Sequence, residues 1–325
     1  IHWNDGNPYF LLKDNGKGMC NEANELINSF RLGSKNPLEE RDDNDLGRFG
    51  FGMKTASLSQ ARALTVITKK SRYKAIALSL DLDFITETKK WLLKTADENK
   101  FKDEFKYLSS LESGTIIRWD HWDRAPKSEN DFMSLITVIN NYLSVCFHRY
   151  LEKGISISHH DYPLQSCSPI PNDNERHYSK LQHPKNEKVV QTSWILKHPK
   201  AWDEEYENIS QFNSYSLFNG FERQQGIYIY RCDRLLTPYG GWFGLIRSSN
   251  ATKLARVTID YPNDADELWS LDITKTNASI PLDFKNEIKK LIDVSKNGSV
   301  EKIIRGDRDI KMKLTTARLK RLIRE

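Results

Sequence analysis

The chain has 325 residues, with 49 Lys+Arg against 44 Asp+Glu, a formal net charge of +5, 38% hydrophobic and 29% charged residues. That length corresponds to about two ordinary domains, and the apolar share is far above that of a disordered chain. No apolar run approaches the roughly 20 residues of a membrane-spanning helix, which excludes membrane, collagen-like and coiled-coil classes.

In chain order, residues 8–13 read as a buried strand entering the turn Asp14-Asn15-Gly16-Lys17-Gly18. Ala23, Leu26, Ile27 and Phe30 recur on one helical face, with Asn21 as a possible cap. Residues 33–46 read as a polar loop, acidic from Glu39 to Asp45. A calcium loop needs spaced oxygen ligands and a turn glycine, and this stretch has neither. Gly47, Gly50 and Gly52 precede a helix-compatible stretch from Met53 to Gln60, and strands follow at 63–69 and 73–80. Residues 86–106 are charged and helix-compatible, 115–119 is a strand candidate, and Phe132 to Cys146 trace a long helix stripe.

Residues 160–185, rich in Pro, Asn, His and Ser, read as a linker or long loop. Beyond it strands are expected at 188–196, 226–231, 253–260 and 267–273, then a helix at 282–293. The fold class is α+β, in three parts: 1–155, 156–300 and a basic helical tail over 301–325. The tail holds nine basic and four acidic residues, an excess equal to that of the whole chain. Such a segment can follow a nucleic-acid backbone or form a solvated helix face. The cysteines Cys20, Cys146, Cys167 and Cys232 lie far apart, so neither a zinc knuckle nor a disulfide framework is expected; the compartment expected is a reducing cytoplasm.

Two clusters carry chemistry. At a strand end, Asp14 beside Gly16 and Gly18 offers a carboxylate to an exocyclic amine such as adenine's, and glycines let backbone approach a flat ring. The same residues make an ordinary turn. Gly47, Gly50 and Gly52 before a helix expose amides that suit a phosphate chain, or else form a hinge. The phosphate-loop NTPase pattern fails because Met53 separates Gly52 from Lys54-Thr55, and G-x-G-x-x-G does not fit. His159-His160-Asp161 has no third metal ligand at suitable spacing and reads as surface loop. His121 with Asp120 and Asp123 reads as packing, and the Trp and Tyr residues at 228–242 read as core.

The order of these pieces resembles the GHKL (Bergerat-fold) ATPase superfamily of gyrase B, MutL proteins, heat-shock chaperones, histidine kinases and MORC proteins. Its D-x-G-x-G adenine motif, lid and G-x-x-G-x-G motif are similar to Asp14-Gly16-Gly18, residues 33–46 and Gly47-Gly50-Gly52. A family Gly-Thr opening a strand is matched by Gly114-Thr115, whose hydroxyl helps hold adenine through water. Phe30 to Lys35 resembles the lid entry of MORC-like members, including bacterial ones, with Ser34 and Lys35 towards phosphates. Gly52-Met53-Lys54-Thr55-Ala56 resembles the start of their phosphate helix. Gly241 to Gly244 and Trp269 to Thr276 resemble their transducer domain, with Lys275 as the candidate for the γ-phosphate.

The resemblance implies a GHKL α/β sandwich followed by a transducer-type domain, binding ATP with Mg2+. The implied nucleotide residues are Asp14, Gly16, Gly18, Met19, Ser34, Lys35, Gly47, Gly50, Phe51, Gly52, Met53, Lys54 and Thr115. It further implies an ATP-driven switch that dimerises, often around DNA. The alternative is a scaffold that binds nucleotide without hydrolysing it and docks a partner protein. The family's Glu-x-x-x-Asn helix, with general base and Mg2+ ligand, stands ahead of the adenine turn, yet only 13 residues precede Asp14. Glu40 to Asn44 and Glu204 to Asn208 share the spacing by chance. A start at Ile1 predicts a chain whose first helix lies upstream, with little hydrolysis by these residues alone and one sheet face short of cover.

Overall fold

The computed structural model describes residues 1–20, 24–31, 33, 46–47, 50–170, 177–183, 186–196, 217, 220, 222–266, 269 and 280–322. Two compact units emerge, one of residues 1–41 with 47–139, the other of residues 42–46 with 140–325. The division falls inside one long helix.

The first unit is built on an antiparallel sheet of β1 (Phe10–Asp14), β2 (Ala61–Lys69), β3 (Ile76–Asp81), β4 (Lys94–Thr95) and β5 (Gly114–Trp122), in the order β1-β5-β2-β3-β4. β2 reads Ala-Leu-Thr-Val-Ile-Thr because both of its faces are covered. Leu64 and Val66 enter one cluster with Leu26, Phe30 and Leu80, from helix α1 (Glu25–Phe30) and β3. Ile67 enters another with Ile116, Phe101 and Leu108, from β5 and around helix α4 (Lys102–Ser109). Each such side chain contributes about 1.5–3 kcal/mol by leaving water. Helix α2 (Gly52–Leu58) adds Met53 and Leu58 to the first cluster.

The charged stretch 86–106, expected as one helical region, divides. Asp81 caps helix α3 (Leu82–Thr88), its Oδ1 accepting from Asp83 N at 3.0 Å and Phe84 N at 3.2 Å. Lys89, at φ 55°, ends that helix, and β4 then pairs with the edge of β3 before α4 begins. On the edge strand β1, Leu12 stands opposite Ile117 on β5, one of the residues packed against the α1/α2 cluster, yet Leu12 is 47% exposed.

Helix α5 (Glu129–Cys146) spans the division and α6 (His148–Glu152) follows. The expected linker at 160–185 holds structure instead. A small hairpin joins β6 (Ser158–His159) to β7 (Tyr162–Pro163), and β8 (His177–His183) pairs antiparallel with β9 (Asn186–Ile195). Polar composition misled here because ladder bonds belong to the backbone, whatever side chains the strand carries.

The second sheet runs β11 (Arg234–Leu235), β10 (Gly226–Arg231), β12 (Ala255–Tyr261), β9, β8, with only β10–β12 parallel. β10 is buried at all six positions. Ile227 and Ile229 pack in a cluster with Trp242, Trp269, Phe284, Ile288 and Leu291, while Tyr228 and Tyr230 pack with Val145 and Leu235. Tyr228, Tyr230 and Trp242 are thus core, whereas Tyr239 is 53% exposed. The helix expected at 282–293 runs further, as α7 (Lys285–Leu322). The expected strand at 267–273 lies outside the described residues apart from the buried Trp269. All four cysteines are free, and no described helix is long and apolar enough to cross a membrane.

Candidate functional site

Asp14 closes β1, and its register partner on β5 is Thr115. Thr115 in turn pairs with Thr68 on β2. Paired residues of adjacent strands share a face, so three polar side chains line the end of three neighbouring strands. Their order follows from chain reversal: β1 and β2 both flank β5, although more than forty residues separate them in sequence.

Thr68 is fully buried and is the hub. Its Oγ1 lies 2.9 Å from Met19 N, 3.1 Å from Gly114 O and 3.1 Å from Thr115 Oγ1. It therefore accepts the amide of the turn and has one proton to donate towards β5. Asp14 Oδ1 accepts from Gly16 N at 2.8 Å, closing the turn locally. Among the described residues Asp14 Oδ2 has no hydrogen-bond partner, and the side chain is exposed. Two glycines permit this packing. Gly18 stands at φ +62°, where a Cβ would land on the Lys69 carbonyl, and a Cβ on Gly114 would land on the Asp14 carbonyl.

A second ring of contacts fixes the turn's far side. Glu25, in the first turn of α1, accepts from Cys20 N at 2.8 Å and from Lys70 Nζ at 2.7 Å. Those bonds, led by Lys70, pull the Glu25 carboxyl down to about 2, and the same pair raises Lys70. Neither Thr68 nor the Glu25–Lys70 pair was singled out from sequence. Each is a single polar residue whose partner lies 45 or more positions away, and nothing local marks it.

The glycine cluster leads into α2. Gly50 stands at φ +66°, and Phe51, the N-cap, supplies no side-chain bond. The first ladder bond is Thr55 N to Phe51 O at 2.9 Å, so the amides of Gly52, Met53 and Lys54 precede it as start-of-helix donors. The space beside Gly52 is open. Gly33, at the start of the expected lid, faces the Phe51 ring: a Cβ there would sit 3.5 Å from Phe51 Cζ. Lys54 does not face solvent. It is 2% exposed, its Nζ donates to Ser29 O at 2.7 Å near the end of α1, and burial lowers its pKa. Met53 packs on the α1/α2 cluster. Ser34, Lys35 and Lys275 lie outside the described residues, as do most of residues 33–46. Leu46, at the end of that loop, belongs with the second unit and accepts from Arg231 Nη1 at 3.2 Å.

An open carboxylate oxygen beside a hydroxyl matches the paired donor and acceptor edge of adenine, so these residues fit that base. The described residues hold no group of three or more His, Cys, Asp or Glu able to bind a metal.

An antiparallel sheet with helices on its faces defines an α/β sandwich. Residues 1–115 match the family model of histidine kinase-, DNA gyrase B- and HSP90-like ATPases. The match runs from the chain start to Thr115, so it holds Asp14, both glycine clusters and Thr68. It supports the GHKL type, with ATP as ligand, for that segment. No curated protein matches the chain.

Proposed function

We propose that this chain is the nucleotide-binding part of a GHKL-type ATPase of the MORC-like kind, in which ATP sets the conformation of the protein. The carrying observation is the placement of Asp14 and Thr115 as register partners, with Thr68 tying Thr115 to Met19 in the turn that follows Asp14, inside the segment that matches the ATPase family. In this reading the adenine amine donates to Asp14 Oδ2, and the Thr115 hydroxyl holds the ring edge. The phosphates meet the amides at Gly52 to Lys54. ATP is then bound differently from ADP, and that difference in affinity drives the conformational change. Dimerisation on ATP, Mg2+ dependence and association with DNA through residues 301–325 belong to the same proposal.

The test is thermal stabilisation by a non-hydrolysable ATP analogue. A ligand at about 100 times its Kd adds roughly 2.7 kcal/mol. Asp14→Asn exchanges a charged acceptor for an amide, which costs about 1.5–3 kcal/mol, or roughly ten- to hundredfold in affinity. An equal shift in both proteins would remove Asp14 from the pocket. Lys275→Ala is expected to weaken ATP more than ADP. Turnover measured in the full-length protein separates an ATPase from a scaffold that binds nucleotide without cleaving it.

A further inference from the structure

Helix α1 has six residues, and each of its ends is fastened to a different part of the candidate site. At its start, Glu25 accepts from Cys20 N at 2.8 Å and from Lys70 Nζ at 2.7 Å, which holds the segment following the Asp14 turn. Thr68 holds the neighbouring Met19 N, so the Asp14 end of the site and the start of α1 form one connected piece. At the other end, Lys54 Nζ on α2 donates to Ser29 O at 2.7 Å. Leu26 and Phe30 of α1 share an apolar cluster with Met53 and Leu58 of α2. The two fastened residues, Glu25 and Ser29, stand about 6 Å apart along the helix axis.

Lys54 is the unexpected member. It is 2% exposed, and an ammonium has three protons to place, yet Ser29 O is its only acceptor among the described residues. Burial lowers its pKa, and no charged group of the described residues opposes that shift. An apolar side chain of similar length would fill the place between two packed helices without burying a charge. What the ammonium adds is a directional tie from α2, beside the start-of-helix amides, to the last turn of α1. The chain beyond α1 meets α2 as well, since a Cβ on Gly33 would sit 3.5 Å from Phe51 Cζ.

We propose that α1 is a strut between the two ends of the nucleotide site, with Lys54 as the positioning residue that sets the phosphate end. The inference rests on the proposed nucleotide reading and deepens it. Lys54 does not meet phosphate itself; it holds the first turn of α2 at a fixed distance from the Asp14 turn. Base and phosphates stand at opposite ends of ATP, so a displaced α2 weakens the phosphate contacts and leaves the base contacts as they are.

The experiment titrates wild type and Lys54→Met with adenosine and with the non-hydrolysable ATP analogue, and follows amide hydrogen exchange across α1 without ligand. Lys54→Met should bind the analogue about tenfold more weakly and adenosine as wild type does, while amides in the last turn of α1 exchange faster. Equal losses for both ligands would mean a general structural role and overturn the inference. A weaker analogue with unchanged exchange would make Lys54 a phosphate ligand, and undiminished analogue affinity would leave it no role; either overturns the strut. Should Lys54→Met fail to fold, the wild type decides alone. The analogue, and not adenosine, should slow exchange in the last turn of α1; equal slowing by both, or by neither, would overturn the strut. A wild type that binds neither ligand would refute the nucleotide reading and this inference with it, whereas every other adverse result falls on the strut alone.

Discussion

Thr68→Val is the perturbation that reaches furthest into the candidate site, because valine keeps the volume and removes only the hydroxyl. The loss deprives Met19 N of its acceptor and leaves Thr115 Oγ1 and Gly114 O without their common partner. At a fully buried position, orphaning one such donor costs about 1–3 kcal/mol. For a unit of this size that is roughly 4–12 °C in the melting midpoint. The turn that carries Asp14 loses its tie to β2 as well, so affinity for the ATP analogue should fall about tenfold, the equivalent of 1.4 kcal/mol. Thr68→Ser supplies the control. It keeps the oxygen and gives up one methyl, costing about 1 kcal/mol of stability with nucleotide affinity unchanged. The assay is paired calorimetric melting and analogue titration on both variants. Wild-type affinity in Thr68→Val, or equal affinity losses in the valine and serine variants, would refute the hub.

The Glu25 carboxyl titrates near 2 in the folded chain against an ordinary 4.5. The unfolded state therefore takes up the proton first, and stability contributed by Glu25 is complete above pH 4.5 and lost as pH falls towards 2. The gap in melting midpoint between wild type and Glu25→Gln should hold constant above pH 5 and close below pH 4.5; a gap independent of pH would refute the pairing. Arg231→Met takes from the buried Asp266 the guanidinium that holds both its oxygens, which should cost about 3–5 kcal/mol in urea denaturation, and Arg231→Met with Asp266→Leu should recover most of it. Failure of the double variant to recover would show that Arg231 matters through bonds other than those to Asp266, the one to Leu46 O among them.

Much of the fold was legible because apolar periodicity is local. β10 appears at the residues expected of it, 226–231, a run rich in Ile and Tyr, and the stripe from Phe132 to Cys146 lies within α5. Glycine clusters were legible for a related reason: close backbone approach excludes every other residue, so Gly18 and Gly114 mark contacts that the sequence does not otherwise name. The reading failed where side-chain composition stood in for backbone pairing. The polar residues 177–183 form a strand because β9 offers them a ladder, and residues 86–106 divide because Asp81 caps and Lys89 stops a helix.

Sequence by itself determined the residue types at the strand end and around the helix start, Asp14, Gly16, Gly18, Gly50, Gly52 and Thr115, since chemistry and backbone freedom reside in single residues. Tertiary structure decided which of those groups stay available. It turned Lys54 inward to the Ser29 carbonyl, made Thr68 the junction of β2, β5 and the turn after β1, and filled the fork of Arg231 with Asp266. Hydrogen-bond satisfaction depends on partners brought together by strand order across many tens of residues, and no local pattern in a sequence encodes that pairing.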